Sequence, residues 1–189
     1  ILDVREDTER DHAFVKGTIH IKLTEIASRH EELDKEPYKE IGIKTLKPFL
    51  IKKEIKAALN QLTKINEDIL SDNKFPIVFG GEHSLTVGSI KPFVKKYDEI
   101  ILLHFDAHAD LRESYNGEKY SHASAIKRCL DFKNVKVISF GIRNLSQSEM
   151  NFYKKNQDRI EIFWGKDKKN WDLSRLKTIF KKKNVYITF

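Results

Sequence analysis

The stretch "LHFDAHADLRE", residues 103–113, follows directly on the apolar run "EIILL" and places Asp106, His108 and Asp110 within five residues. A short continuous apolar run reads as a strand buried on both faces, and such strands belong to parallel sheets covered by helices. In those sheets the loops at the carboxyl ends of the strands hold ligands, so this stretch fixes the fold class and also points to the site.

The same pattern recurs along the chain. "PIVFGG" (76–81), "EIILLHFD" (99–106), "VKVISFGIR" (135–143) and "NVYITF" (184–189) are predicted strands. Between them lie amphipathic segments. Residues 51–73 set Ile55, Leu59, Leu62, Ile65 and Ile69 on one helical face, and 84–97, 123–132 and 172–183 are predicted as shorter crossover helices. Strands alternating with helices predict an α/β protein, and 189 residues suffice for one sizeable core.

Composition narrows the function classes. With 40% hydrophobic and 33% charged residues the chain reads as an ordinary globular protein. No run approaches the roughly 20 apolar residues of a membrane span, and no signal peptide is evident. Cys129 is the only cysteine, which excludes an internal disulfide and a Cys-based zinc site and fits a reducing compartment, with the cytoplasm expected. Within the helical pattern "AIKRCL" it reads as a buried structural thiol. Much of the net charge of +7 comes from "GKDKKNWDLSRLKTIFKKKN", where acids are mixed in and no stacking pattern of aromatics appears. That is a solvated helix face, and no nucleic-acid partner is expected.

The candidate chemistry lies in two loops. "FGGEHS" presents His83 after one predicted strand, and "DAHAD" presents Asp106, His108 and Asp110 after the next. Adjacent strands would bring these four side chains within a few ångströms. Paired aspartates repel unless a cation lies between them, and mixed carboxylate and imidazole donors suit manganese, iron or zinc. Gly80 and Gly81 permit close backbone approach, and four of the seven histidines fall between His83 and His122. His104, inside the strand, is expected to be a packed, hydrogen-bonded core residue.

"GGEHS", "HFDAHADLRESYNGEKYSHAS" and "SFGIR" closely resemble the ureohydrolase family of arginases and agmatinases, most of all its agmatinase branch, over about residues 36–189. The resemblance implies a three-layer α/β/α sandwich with a mainly parallel sheet, a binuclear manganese centre, and hydrolysis of a guanidinium compound to urea and an amine, with agmatine giving putrescine. It implies His83, Asp106, His108 and Asp110 as manganese ligands, Asp106 bridging, and His122 in "YSHAS" as a mobile proton shuttle. Asn116 and Tyr120, in the loop between, are candidate substrate contacts. No anchor for a substrate carboxylate is evident, in keeping with agmatine rather than arginine. Homo-oligomers, trimers or hexamers, are the family's habit.

Two departures shape the expectations. The family's strand ending in Asp-x-Asp should follow "NVYITF", so the arginase-like sandwich is expected to be incomplete at both ends, and residues 1–189 alone to bind at most one manganese weakly and to release no urea. An unpaired edge at 184–189 should then favour aggregation or pairing with another chain. Residues 1–35 resemble instead the opening of a rhodanese domain, a strand ending in Asp-Val-Arg-Glu followed by a short helix, a second strand and another helix. The organisation read is thus 1–35 rhodanese-like and 36–189 ureohydrolase. A catalytically silent metal-binding or interaction fragment and a sulfur-handling module are the alternatives to an enzyme.

Overall fold

The computed structural model describes Leu2–Asp3, Ile19–His20, Gly42, residues 44–46, Leu50 and residues 51–189 apart from Arg175. The chain divides into two units, Ile1–Leu50 and Ile51–Phe189. In the first, β1 (Leu2–Asp3) and β2 (Ile19–His20) run parallel, with Leu2 opposite Ile19 and Asp3 opposite His20. The helices expected between and after these strands fall outside the described residues.

The second unit begins with α1 (Ile55–Ser71) and α2 (Leu85–Lys96), followed by β3 (Ile100–Phe105). A 3-10 turn, His122–Ser124, leads into α3 (Ala125–Cys129), and β4 (Val135–Ile142), α4 (Gln147–Lys155) and β5 (Ile160–Trp164) follow. α5 (Leu176–Lys182) and β6 (Asn184–Thr188) complete it. The four strands form one parallel sheet in the order β5-β4-β3-β6.

Strand periodicity divides the core into two layers. Ile100 and Leu102 join Val135, Val137, Ile160 and Ile162 on the face covered by Val87 and Ile90 of α2 and Ile126 and Cys129 of α3. Ile101, Leu103, Ile138 and Phe140 point the other way, against Leu176 of α5 and the partly buried Ile179 and Trp171. The result is the expected α/β/α layering. Cys129 is fully buried there, and burial pushes its thiol far above the usual range, which makes it inert packing. On the α5 face Phe163, Phe140, Phe105 and Phe189 stack across the sheet with centroid separations of 4.6, 5.0 and 5.2 Å. No described helix is long and apolar enough to cross a membrane.

Four elements differ from the sequence expectation. Residues 76–81 form no strand: the run finds no ladder partner among the described residues, and Ile77 and Phe79 are exposed. An apolar run signals strand tendency, but a strand exists only beside a neighbour. Conversely, α4 and β5 were not anticipated, although "SQSE" carries a capping box in which Ser146 and Glu149 satisfy each other's backbone N–H groups. In α1 the buried line is Leu59, Thr63 and Asn66, with Leu62, Ile65 and Ile69 only half-buried. The face is turned by a close approach to α2, where the Thr63 hydroxyl lies 2.8 Å from the Gly88 carbonyl oxygen.

That approach is tight enough to test. A Cβ on Gly88 would fall 2.7 Å from the Leu59 carbonyl oxygen. Gly88→Ala should gain up to about 1 kcal/mol of helix propensity but force the two helices apart, for a net loss of about 1–2 kcal/mol. Urea denaturation checks it; an unchanged or raised midpoint contradicts the packing described.

Candidate metal centre

β3 delivers its polar loop with the backbone already pinned. Asp106 N–H donates to the Phe140 carbonyl at 3.1 Å, and Arg143 and Asn144 N–H groups donate to the Ala107 carbonyl at 2.9 and 3.0 Å. Gly141, at φ +86°, sits where a Cβ would press on the Asp106 carbonyl oxygen at 3.2 Å. Asp106 Oδ1 accepts the His108 backbone N–H at 2.9 Å, a tight local turn. Asp110 then adopts φ +51°, a left-handed conformation that aspartate tolerates better than most residues, and its carbonyl accepts from Lys127 N–H at 2.9 Å.

A buried carboxylate that the sequence reading passed over holds the far end of this loop. Glu149 Oε1 accepts the Leu111 N–H at 3.0 Å while Oε2 accepts the Ser146 N–H at 2.7 Å. Its signal, the capping-box spacing, was legible, but its second partner across the fold was not.

Within this frame His83, His104, Asp106 and Asp110 offer ligand atoms that all lie within 4.8 Å of one another. His83 Nδ1 is 2.7 Å from Asp110 Oδ2 and 3.5 Å from Asp106 Oδ2. Its Nε2 lies 3.1 Å from the Thr188 hydroxyl, which is itself 2.7 Å from the Thr86 hydroxyl. His83 is thus aimed from behind by two buried threonines, one at the end of β6 and one in α2. Burial pushes the Asp106 carboxyl up, but His104, the His108 backbone N–H and His83 outweigh it and hold the group well below the usual carboxylate range.

The structure therefore gathers three of the four residues predicted as ligands, His83, Asp106 and Asp110, and adds His104. His108 stands on the solvent side, with Nδ1 3.3 Å from Asp106 Oδ1 and its side chain exposed. His122 lies outside the cluster at the start of the 3-10 turn, exposed, with Nδ1 3.5 Å from Glu82 Oε1 and its ring edge-on to Tyr115. Asn116 and Gly117, at φ +49° and +81°, make the turn closed by reciprocal Tyr115–Glu118 backbone bonds of 2.9 Å. Tyr120 packs partly buried against the core, beneath the Lys56 ammonium. Oxygen and nitrogen donors converging at one buried point fit a divalent cation.

Among known proteins, the family model described as Arginase family matches residues 15–189. The chain is 37% identical over 107 residues to the agmatinase of Bacillus subtilis, covering 56% of this chain and 37% of that protein. It is 27% identical over 167 residues to an N(1)-aminopropylagmatine ureohydrolase of Synechocystis, covering 84% of this chain and 53% of that protein. The crystal structure of the agmatine ureohydrolase of Thermoplasma volcanium superimposes with a TM-score of 0.61 at 29% identity, covering 74% of this chain and 47% of that one. The chain thus spans less than two thirds of the length of these relatives.

The threonine pair behind His83 gives a direct test of the geometry. Thr188→Val keeps the shape but removes the hydroxyl shared by His83 and Thr86, leaving buried polar groups unpartnered at a cost of about 1–3 kcal/mol. Chemical denaturation should show that loss. A variant as stable as the parent would mean the hydroxyl bridges nothing.

Proposed function

The chain belongs to the arginase family, and on that premise we propose that it carries the metal-binding core of a manganese-dependent ureohydrolase acting on agmatine. The observation that carries the reading is the convergence of His83, Asp106 and Asp110 at the carboxyl end of a parallel strand, with His108 on the other oxygen of Asp106. His83, Asp106, His108 and Asp110 would hold the metal, two ions in the family's arrangement. When bound, such cations lower the pKa of water and stabilise negative charge developing on it.

The chain's own residues supply the rest. In the hydrolysis, water adds to the guanidinium carbon, the bond from that carbon to the alkyl nitrogen breaks, and a proton passes to the departing amine. His122 is the proposed proton carrier: its imidazole can both accept and donate a proton, it is exposed, and the Glu82 carboxylate faces one ring nitrogen and can orient it. Asn116 and Tyr120, on the intervening loop, are proposed substrate contacts. The same reading extends to the formation of putrescine in the cytoplasm and to a homo-oligomer, both supported by the family alone. The division at residues 35 and 36 into a rhodanese-like opening and a ureohydrolase domain is part of the proposal.

Two measurements test this reading. In equilibrium dialysis against manganese the chain should bind metal that an Asp106→Asn, His108→Ala double variant does not, while His122→Ala binds it as the parent does; equal binding by parent and double variant defeats the ligand assignment. In a protein carrying this segment at the full length of its relatives, urea should be released faster from agmatine than from arginine or guanidinobutyrate. Faster turnover of arginine defeats the substrate assignment.

A further inference from the structure

The sheet carries a polar layer where apolar residues would pack more cheaply. On β3, Ile100 and Leu102 face the α2 side of the core, and the next residue on that face is His104. Its register partners are Ser139 on β4 and Thr188 on β6, so three polar side chains lie in line across three strands, all buried. His104 is fully buried, and burying an imidazole without partners for both ring nitrogens is unfavourable.

One nitrogen is satisfied: Nδ1 lies 3.0 Å from the Ser139 hydroxyl. The other, Nε2, is buried without a hydrogen-bond partner and faces Asp106 Oδ2 at 3.8 Å. The two oxygens of Asp106 are held unequally. Oδ1 accepts the His108 N–H at 2.9 Å, whereas Oδ2 faces two ring nitrogens, His83 Nδ1 at 3.5 Å and His104 Nε2 at 3.8 Å. A carboxylate that binds metal needs its lone pairs aimed, and hydrogen bonds from behind commonly do the aiming.

We propose that His104 is a positioning residue for the metal centre, in which Ser139 donates to Nδ1, keeps the proton on Nε2, and Nε2–H holds the Asp106 carboxylate in the orientation that receives the cation. The role rests on the metal reading of the cluster. It requires no ligation by His104, whose only lone pair is engaged by Ser139. It also explains an imidazole on a strand face that otherwise carries Ile100 and Leu102.

The test uses substitutions that keep one nitrogen at a time. Glutamine places its amide nitrogen near Nε2, asparagine near Nδ1, and leucine removes both. Manganese dissociation constants, read from the electron paramagnetic resonance of the free ion, should weaken about 10–100-fold in His104→Asn and His104→Leu. In His104→Gln the constant should stay within about threefold of the parent, the recovery that a merely space-filling role would not give. Circular dichroism melting confirms folding, and if His104→Leu fails to fold, the Gln and Asn pair still decides. Parent-like affinity in the folded His104→Asn variant overturns the proposal. So does equal weakening in Gln and Asn, which would make His104 a ligand. If the parent itself binds no manganese, the metal reading falls and this role with it; if the parent binds and only the ordering of variants fails, the metal reading stands and His104 alone is misassigned.

Discussion

Two aspartates held close together just past the carboxyl end of one strand are the constraint on which the second unit is organised. Asp106 and Asp110 both present an oxygen to the same nitrogen of His83, at 3.5 and 2.7 Å. An imidazole N–H can donate well to only one oxygen. Keeping both carboxylates there demands backbone that does not yield, and the surroundings supply it. β4 and the residues just after it pin the start of the loop through Phe140, Arg143 and Asn144, α3 pins the carbonyl of Asp110 through Lys127, and α4 pins Leu111 through Glu149. The left-handed backbone of Asp110 is stable only inside such a frame.

The sheet contributes from below. In a parallel sheet every strand ends on the same side, so side chains far apart in sequence meet at one rim. Thr188, from the last strand, and Thr86, from the second helix, aim His83, while Ser139 supports His104. The apolar layers beneath, with Ile100, Leu102, Val135 and Val137 fully buried, make the rim rigid. The stacked phenylalanines on the opposite face tie neighbouring strands together where the loops depart.

Much of this was legible in the sequence. Continuous apolar runs gave β3, β4 and β6, and the dense polar stretch after β3 located the cluster, because burial on both faces and costly polar groups leave a local mark. Long-range effects left none. The strand expected at 76–81 had the right composition but no ladder partner among the described residues, and pairing is not a property of one segment. His104 read as a core residue, as its burial shows, yet its second nitrogen faces the carboxylates only because β3 places it one pleat below Asp106. Thr188 carried no marker of its role and Glu149 only its capping-box spacing, since each also acts on a residue that the fold brings close from elsewhere. His108 was read from the same dense loop and His122 from the family resemblance, and the structure gives both exposed positions, beside Asp106 and Glu82.

The central claim is that the Asp106, Asp110 and His83 cluster is a metal centre. Crystals grown with manganese and measured on both sides of its absorption edge test it most directly. The account predicts an anomalous peak in contact with the carboxylates of Asp106 and Asp110 and with Nδ1 of His83. Well-ordered crystals with no peak there, or with manganese only on exposed acidic side chains, would contradict it.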